Sequence, residues 1–202
     1  MKGYGAYTKS GRPFFVFDDI YEDDEVNRIF GEIDLCIRPL MRRDNTGGTA
    51  KKSTNAIFLN EVFAQWEASN IFKSSRKLIK QEVMEQLGDF HWAFKAMRDK
   101  PVSEGIQVLY YEDSDRYGQH EDITNMTALT WFAREPQGFE GGDIKLDDDV
   151  LVPFKNNRAV FMSIGMPHEV IPVKSTTDKP GFGRYCISHF YNYASPDQVG
   201  GT

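Results

Sequence analysis

The chain has 202 residues, of which 40% are hydrophobic and 27% charged, with a formal net charge of −6. That length suits one well-cored domain spanning 1–202, and the acidic balance argues against wholesale nucleic-acid binding. Two cysteines, Cys36 and Cys186, are too few for a disulfide framework and are expected as buried free thiols. No apolar run approaches the ~20 residues a bilayer span needs, and Met1 to Gly5 opens no apolar leader. A soluble, cytoplasmic protein with no membrane partner is expected.

In chain order, the first element is a strand at Phe14-Phe15-Val16-Phe17, short, aromatic and β-branched. Tyr21 to Glu25 then supplies acidic residues suited to a helix N-terminus. Val26, Ile29, Phe30 and Ile33 follow at helical spacing and predict an amphipathic helix. From Arg42 to Thr54 no apolar residue is larger than alanine and two glycines stand together, which predicts a flexible surface loop or a solvated hairpin tip. Residues 60–98 carry Phe63, Trp66, Ile71, Phe72, Leu78, Ile79, Val83, Met84 and Leu87 at spacings near three or four, so this stretch is expected to be mostly helical with a core-facing stripe.

Beyond Glu104 the pattern becomes β. Strands are expected over 105–111, 126–132, 158–162 and 184–190, separated by turn-rich pieces at 112–115, 136–138, 140–143 and 178–181. Short strands with regular turn signals suggest a double-sheet jelly roll. The fold class expected is α+β, with helical support mainly over 20–100 and a barrel core mainly over 104–193.

Three residues in this β half point to a metal. On an extended segment His120 and Asp122 can share a face while Glu121 points away, and His168 follows in Pro167-His168-Glu169-Val170. Two imidazoles and one carboxylate can occupy one face of a ferrous ion, leaving positions open for a chelating co-substrate and oxygen. Arg184 heads a strand with Cys186, Ser188 and Phe190 on its own face, opposite Tyr185, Ile187, His189 and Tyr191. An arginine leading an apolar face needs an anionic partner, because its charge is costly to bury unpaired; a structural salt bridge is the alternative. His91 and His189 have no motif partner and are expected to be structural. Asp147-Asp148-Asp149 is expected to be a solvated acidic turn.

The segments Val108-Leu109-Tyr110-Tyr111, Tyr117 to Asp122, Gly141-Gly142-Asp143-Ile144, Pro167 to Val170 and Arg184 to Ser188 together resemble the prolyl 4-hydroxylase-like branch of the Fe(II)- and 2-oxoglutarate-dependent dioxygenases. The resemblance runs from about Phe14 to Tyr193. It implies a double-stranded β-helix, a cupin-like barrel buttressed by N-terminal helices. It implies Fe(II) held by His120, Asp122 and His168, with 2-oxoglutarate as co-substrate, O2 as oxidant and ascorbate as a supporting reductant. The distal carboxylate of 2-oxoglutarate would meet Arg184, with Tyr110, Thr130 and Ser188 as further co-substrate contacts. Tyr117, Trp131, Arg42 and Arg43 would line the substrate's path.

Two departures stand out. The branch often has Arg-x-Ser, whereas this chain has Arg184-Tyr185-Cys186, and 174–183 lengthens the step from His168 to Arg184. The activity implied is hydroxylation of an unactivated C–H bond, with a prolyl residue of a peptide or protein as leading substrate and release of succinate and CO2. A free amino acid or small metabolite is the runner-up, nucleic acid is disfavoured, and a non-catalytic jelly-roll binding module is the alternative from another class.

Overall fold

Near-continuous apolar runs dictate which strands lie in the middle. Pro13–Phe17 and Met126–Phe132 are buried along their whole length, and such segments need cover on both faces. In the computed structural model, which describes residues 2–44, 52–98 and 102–193, both run inside a curled antiparallel sheet. Its strands in chain order are β1 (Tyr4–Tyr7), β2 (Pro13–Phe17), β3 (Arg42–Asp44), β4 (Lys52–Phe58), β5 (Val102–Tyr111), β6 (Arg116–His120) and β7 (Met126–Phe132). After β8 (Phe139–Gly141) come β9 (Ile144–Leu146), β10 (Val150–Val152), β11 (Arg158–Ser163) and β12 (His168–Val170). Last are β13 (Val173–Ser175) and β14 (Arg184–Tyr193). The spatial order is β1-β2-β11-β7-β14-β5-β4-β6-β12-β9-β10, with β3 on β4 and with β8 and β13 as a separate ribbon.

The sheet curls until β6, β12, β9 and β10 face its longer strands. Side chains of both halves then share one core, including Leu109, Leu129, Trp131 and Val160 from one side and Ile144, Leu146 and Val170 from the other. This is the expected jelly roll. The two-residue period of a strand decides which face each side chain serves. Phe15, Phe17, Val108, Tyr110, Phe132, Tyr185 and Ile187 point out of the barrel into a second core.

Helices cover that outer face. The first, α1 (Asp23–Glu32), starts with a capping box in which the Glu22 N–H donates to the Glu25 carboxylate at 2.9 Å. Its Ile29, and Ile33 at the start of the helical turn that follows it (Ile33–Ile37), enter the outer core, as the spacing predicted. The expected helical stretch over 60–98 is helical but broken. It runs as single turns at Leu59–Glu61 and Trp66–Ala68, then α2 (Asn70–Ser75), a turn at Arg76–Ile79, α3 (Gln81–Phe90) and α4 (Trp92–Arg98). The helices that buttress the barrel here are therefore short ones. Ser69 starts α2 by accepting the Phe72 N–H at 3.0 Å, and His91, expected to be structural, accepts the Ala93 N–H at 3.2 Å at the start of α4.

Of the two readings of 42–54, a flexible surface loop or a hairpin tip, the described ends follow the second: Arg42 pairs with Ala56 and Asp44 with Thr54, while 45–51 lies outside the described residues. The acidic turn between β9 and β10 is fastened rather than freely solvated. Asp147 accepts from Thr8 Oγ1 at 2.8 Å and from Ser10, and Asp149 accepts the Lys9 N–H at 2.8 Å. These bonds tie the β1–β2 turn to the opposite side of the barrel. Both cysteines are free, Cys186 buried and Cys36 only half-buried.

The turn that delivers β6 is pinned by Asp115, which is 1% exposed. It accepts from Arg43 Nη1 at 2.6 Å and from Arg43 Nη2, from Ser53 Oγ at 2.8 Å and from the Glu112 N–H at 2.8 Å. The carboxylate thus joins the β3–β4 hairpin to the β5–β6 turn. Asp115→Ala should cost about 1–2 kcal/mol by removing the buried acceptor that joins the two turns, the partly exposed donors being rescued in part by water. A urea unfolding midpoint equal to that of the parent would contradict this.

Candidate active site

His120 ends β6 and His168 begins β12, and the two are direct cross-strand partners. The imidazole centroids are 4.2 Å apart. Each ring places Nδ1 against the carbonyl two residues earlier: His120 on Gly118 at 2.9 Å and His168 on Met166 at 3.0 Å. A carbonyl can only accept, so Nδ1 carries the proton and both Nε2 lone pairs are left free. Those nitrogens face one carboxylate. Asp122 Oδ1 lies 3.8 Å from His120 Nε2, and Asp122 Oδ2 lies 3.7 Å from His168 Nε2. One ligand atom from each residue falls within 4.8 Å of the others.

Asp122 reaches this place by a route other than simple alternation. The strand stops at His120, and Asp122 sits in the following loop, where Thr127 Oγ1 donates to its Oδ2 at 2.8 Å. The Thr127 hydroxyl lies 2.9 Å from that of Thr124. Burial, then the neighbouring His168, push the His120 pKa down to about 4. At neutral pH the ring is therefore an uncharged donor. Two neutral imidazoles and one carboxylate give a divalent ion three ligands and a net site charge of about +1, so the donor set fits Fe(II).

A narrow cleft opens beside these residues, lined among others by Gln107, Leu109, Tyr111, Tyr117, Leu129, Cys186, Ser188 and Phe190. Tyr117 stacks on His120 with centroids 3.7 Å apart. Tyr111 and Cys186 lead to Arg184, whose guanidinium lies 5.0 Å from the Tyr111 ring and 5.2 Å from Trp131. Arg184 is fully buried. Its Nε donates to the Gly142 carbonyl at 2.7 Å, while Nη1 and Nη2 have no hydrogen-bond partner among the described residues. Gly142 has φ +72, and a Cβ there would come within 2.6 Å of Arg184 Cδ, so only glycine lets the carbonyl approach. Burial pushes the Cys186 thiol up against the pull of the Arg184 charge, and its Sγ lies 3.9 Å from Ser188 Oγ.

The structure brings together His120, Asp122, His168, Tyr117, Ser188 and Cys186 in one cleft, with Arg184 behind it. Other expected contacts go elsewhere. Tyr110 and Thr130 face the outer core, because the residues of β5 and β7 that enter the barrel are the odd-numbered ones. Thr130 Oγ1 instead meets the Ile187 carbonyl at 3.4 Å. Trp131 does point inward, but it is fully buried beneath Arg184 rather than on a substrate path. Arg43 is engaged by Asp115. Arg42 lines a separate open groove, whose lining includes Gln107 of the cleft. His189 lies on the outer face, its Nδ1 3.0 Å from Glu104 Oε1, and is structural as expected.

Sequence reasoning missed Tyr111, Thr127 and the role of the Gly142 carbonyl. Tyr111 is the cross-strand partner of Arg184, a pairing that strand alternation alone does not specify.

No protein-family model matches the chain, and no curated protein does. Solved structures do. A 2OG-Fe(II) oxygenase family oxidoreductase from Burkholderia pseudomallei is 12% identical over 89% of this chain and 84% of its own, with a TM-score of 0.63. A prolyl-4-hydroxylase from Pseudomonas putida is 13% identical over 92% and 95%, with a TM-score of 0.59. A non-haem α-ketoglutarate-dependent epimerase of nogalamycin biosynthesis is 15% identical over 90% and 78%, with a TM-score of 0.57. At these identities the likeness is one of fold: the chain has the jelly roll of the 2OG-Fe(II) oxygenases. No helix among the described residues is long and apolar enough to cross a membrane.

Because Thr127 is the side chain that orients Asp122, Thr127→Val should weaken divalent-metal binding about 10-fold without unfolding the protein. Calorimetric titration with Mn(II) measures this, and an unchanged affinity would remove Thr127 from the site.

Proposed function

We propose that the protein is an Fe(II)- and 2-oxoglutarate-dependent oxygenase that hydroxylates an unactivated C–H bond, with a prolyl residue of a peptide or protein as its substrate. The observation that carries this reading is the buried Arg184 guanidinium, its two amino groups unpartnered among the described residues, behind a cleft that begins at His120, Asp122 and His168. A charge buried in that state calls for an anion. A carboxylate answers both amino groups through a two-pronged contact. A dicarboxylate with a keto acid at its other end can satisfy the metal and the arginine together, which a generic binding module does not require.

Iron and 2-oxoglutarate, when bound, couple the reduction of O2 and loss of CO2 from the co-substrate to insertion of one oxygen into a C–H bond, leaving succinate. The chain's residues hold and shield that chemistry. His120, Asp122 and His168 would hold the metal by one face, and the Gly118 and Met166 carbonyls keep the two imidazoles in the tautomer that presents Nε2. Arg184 would anchor the distal carboxylate, with Ser188 as a hydroxyl donor within the cleft in place of the serine that Cys186 replaces. Leu109, Leu129 and Val170 keep water from the space between.

Two observations support a peptide substrate. The fold is shared with the Pseudomonas putida prolyl-4-hydroxylase, and an open groove carrying Arg42 shares Gln107 with the cleft's lining. The likeness to the nogalamycin-pathway epimerase favours a second reading, a small-molecule substrate.

Anaerobic titration of 2-oxoglutarate into the Fe(II)-loaded protein should raise a weak visible charge-transfer band. His168→Ala should abolish it. Arg184→Ala should weaken co-substrate binding about 100-fold, the scale of a lost charge-assisted pair. Proline-containing peptides should then gain one oxygen by mass, with stoichiometric succinate. A folded, iron-loaded protein that shows no band would sink the oxygenase reading. Oxidation of a free amino acid with peptides untouched would replace the peptide substrate by the small-molecule one.

A further inference from the structure

Arg184 begins its strand, so its position depends on the segment just before it. Gly183 passes so close to β5 that a Cβ there would lie 2.2 Å from the Tyr111 carbonyl and 2.9 Å from Tyr110 Cε2. A side chain has no room, and the segment needs another means of attachment. Tyr110 supplies it from the outer face of the sheet. Its hydroxyl oxygen accepts the Gly181 N–H at 3.1 Å and the Gly183 N–H at 3.2 Å. Tyr185, its cross-strand partner, stacks on it with centroids 4.5 Å apart and donates its own O–H to the Gly181 carbonyl at 3.2 Å. Burial raises both phenols above their ordinary range, so each stays neutral. Two stacked rings thus hold the residues 181–183 by three hydrogen bonds. The Gly142 carbonyl holds the guanidinium at its Nε.

We propose that Tyr110, assisted by Tyr185, is a positioning residue for the co-substrate's distal carboxylate: from outside the barrel it clamps Gly181 and Gly183 and so sets where the Arg184 guanidinium lies. The inference rests on the assignment of Arg184 to 2-oxoglutarate. Tyr110 itself faces away from the cleft, so it touches no reacting atom. Its removal loosens the backbone that leads into Arg184 and leaves the candidate metal ligands, which hang on β6, β12 and the loop after β6, as they are.

The test compares Tyr110→Phe, Tyr185→Phe and Arg184→Ala in the Fe(II)-loaded protein under anaerobic conditions. Two ligands are used: 2-oxoglutarate, and 2-oxovalerate, which has the same chain length and keto acid but no distal carboxylate. Tyr110→Phe should weaken 2-oxoglutarate about 10-fold, the scale of one or two lost hydrogen bonds, and leave 2-oxovalerate and Fe(II) affinity within twofold. Tyr185→Phe, which leaves the Tyr110 hydroxyl in place, should weaken 2-oxoglutarate about threefold and serves if Tyr110→Phe fails to fold. In the metal-free protein, the Gly181 and Gly183 amides should exchange faster in Tyr110→Phe than in the parent.

Equal weakening of both ligands, or of Fe(II), would mark Tyr110 as a merely structural residue and overturn the proposal. So would unchanged 2-oxoglutarate affinity in both phenylalanine variants. If Arg184→Ala leaves 2-oxoglutarate binding intact, the co-substrate assignment itself falls and the present inference falls with it. That outcome is distinguished by the arginine variant alone.

Discussion

A guanidinium buried inside an apolar barrel is the constraint around which the rest of this structure is arranged. Desolvating one cation costs several kcal/mol unless hydrogen bonds and an opposite charge compensate. Arg184 is fully buried and receives one main-chain acceptor at Nε, three aromatic neighbours and no carboxylate from the described residues. Tyr111, Trp131 and Phe154 offer their ring faces, which offsets part of the cost. The remaining deficit is directional, because it is confined to Nη1 and Nη2. A pocket with that deficit selects for a planar anion before any other property of the ligand matters.

The sheet meets this demand by dividing labour between its faces. On β5 and β14 successive residues alternate between cleft and outer core, so Tyr111 and Arg184 face inward while Tyr110 and Tyr185 face outward. The inner member of each pair faces the barrel interior and the outer one fixes the backbone. The outer core, packed under α1, α3 and the turns between them, is thus part of the functional apparatus. A barrel with a soft outer layer would let the guanidinium drift, and the effect on a two-pronged contact is steep because both hydrogen bonds must align at once.

How much of this was legible in the sequence follows from how local each feature is. His120 and Asp122 were legible because their chemistry is distinctive and they stand two residues apart, and His168, 46 positions on, because it sits in a short motif of its own. Arg184 was legible because its inward face follows from alternation along one strand. Tyr110 and Thr130 were misassigned because the face of β5 and β7 depends on their register against β14, which no single segment encodes. The same gap hid Tyr111. Asp115 and Arg43 are 72 positions apart, and nothing in either segment announces the pair. The strands β9, β10 and β12, three residues each, are too short for periodicity to show, so half of the barrel was inferred from turns and from the resemblance.

The two ends of the site therefore depend on the fold to different degrees. At the metal end each imidazole is oriented by a carbonyl only two residues away, and the carboxylate by a threonine five residues on. Those contacts survive modest shifts of the sheet because they move with their own loop. The anion end is assembled from Arg184, the Gly142 carbonyl and the Tyr110 clamp, joined across separations of 42 and 73 residues. Its geometry exists only when the barrel is closed and its outer face is covered. The three candidate ligands still need β6 paired with β12, where His120 meets His168, but each of those side chains is oriented within its own loop, whereas the guanidinium is oriented across the sheet.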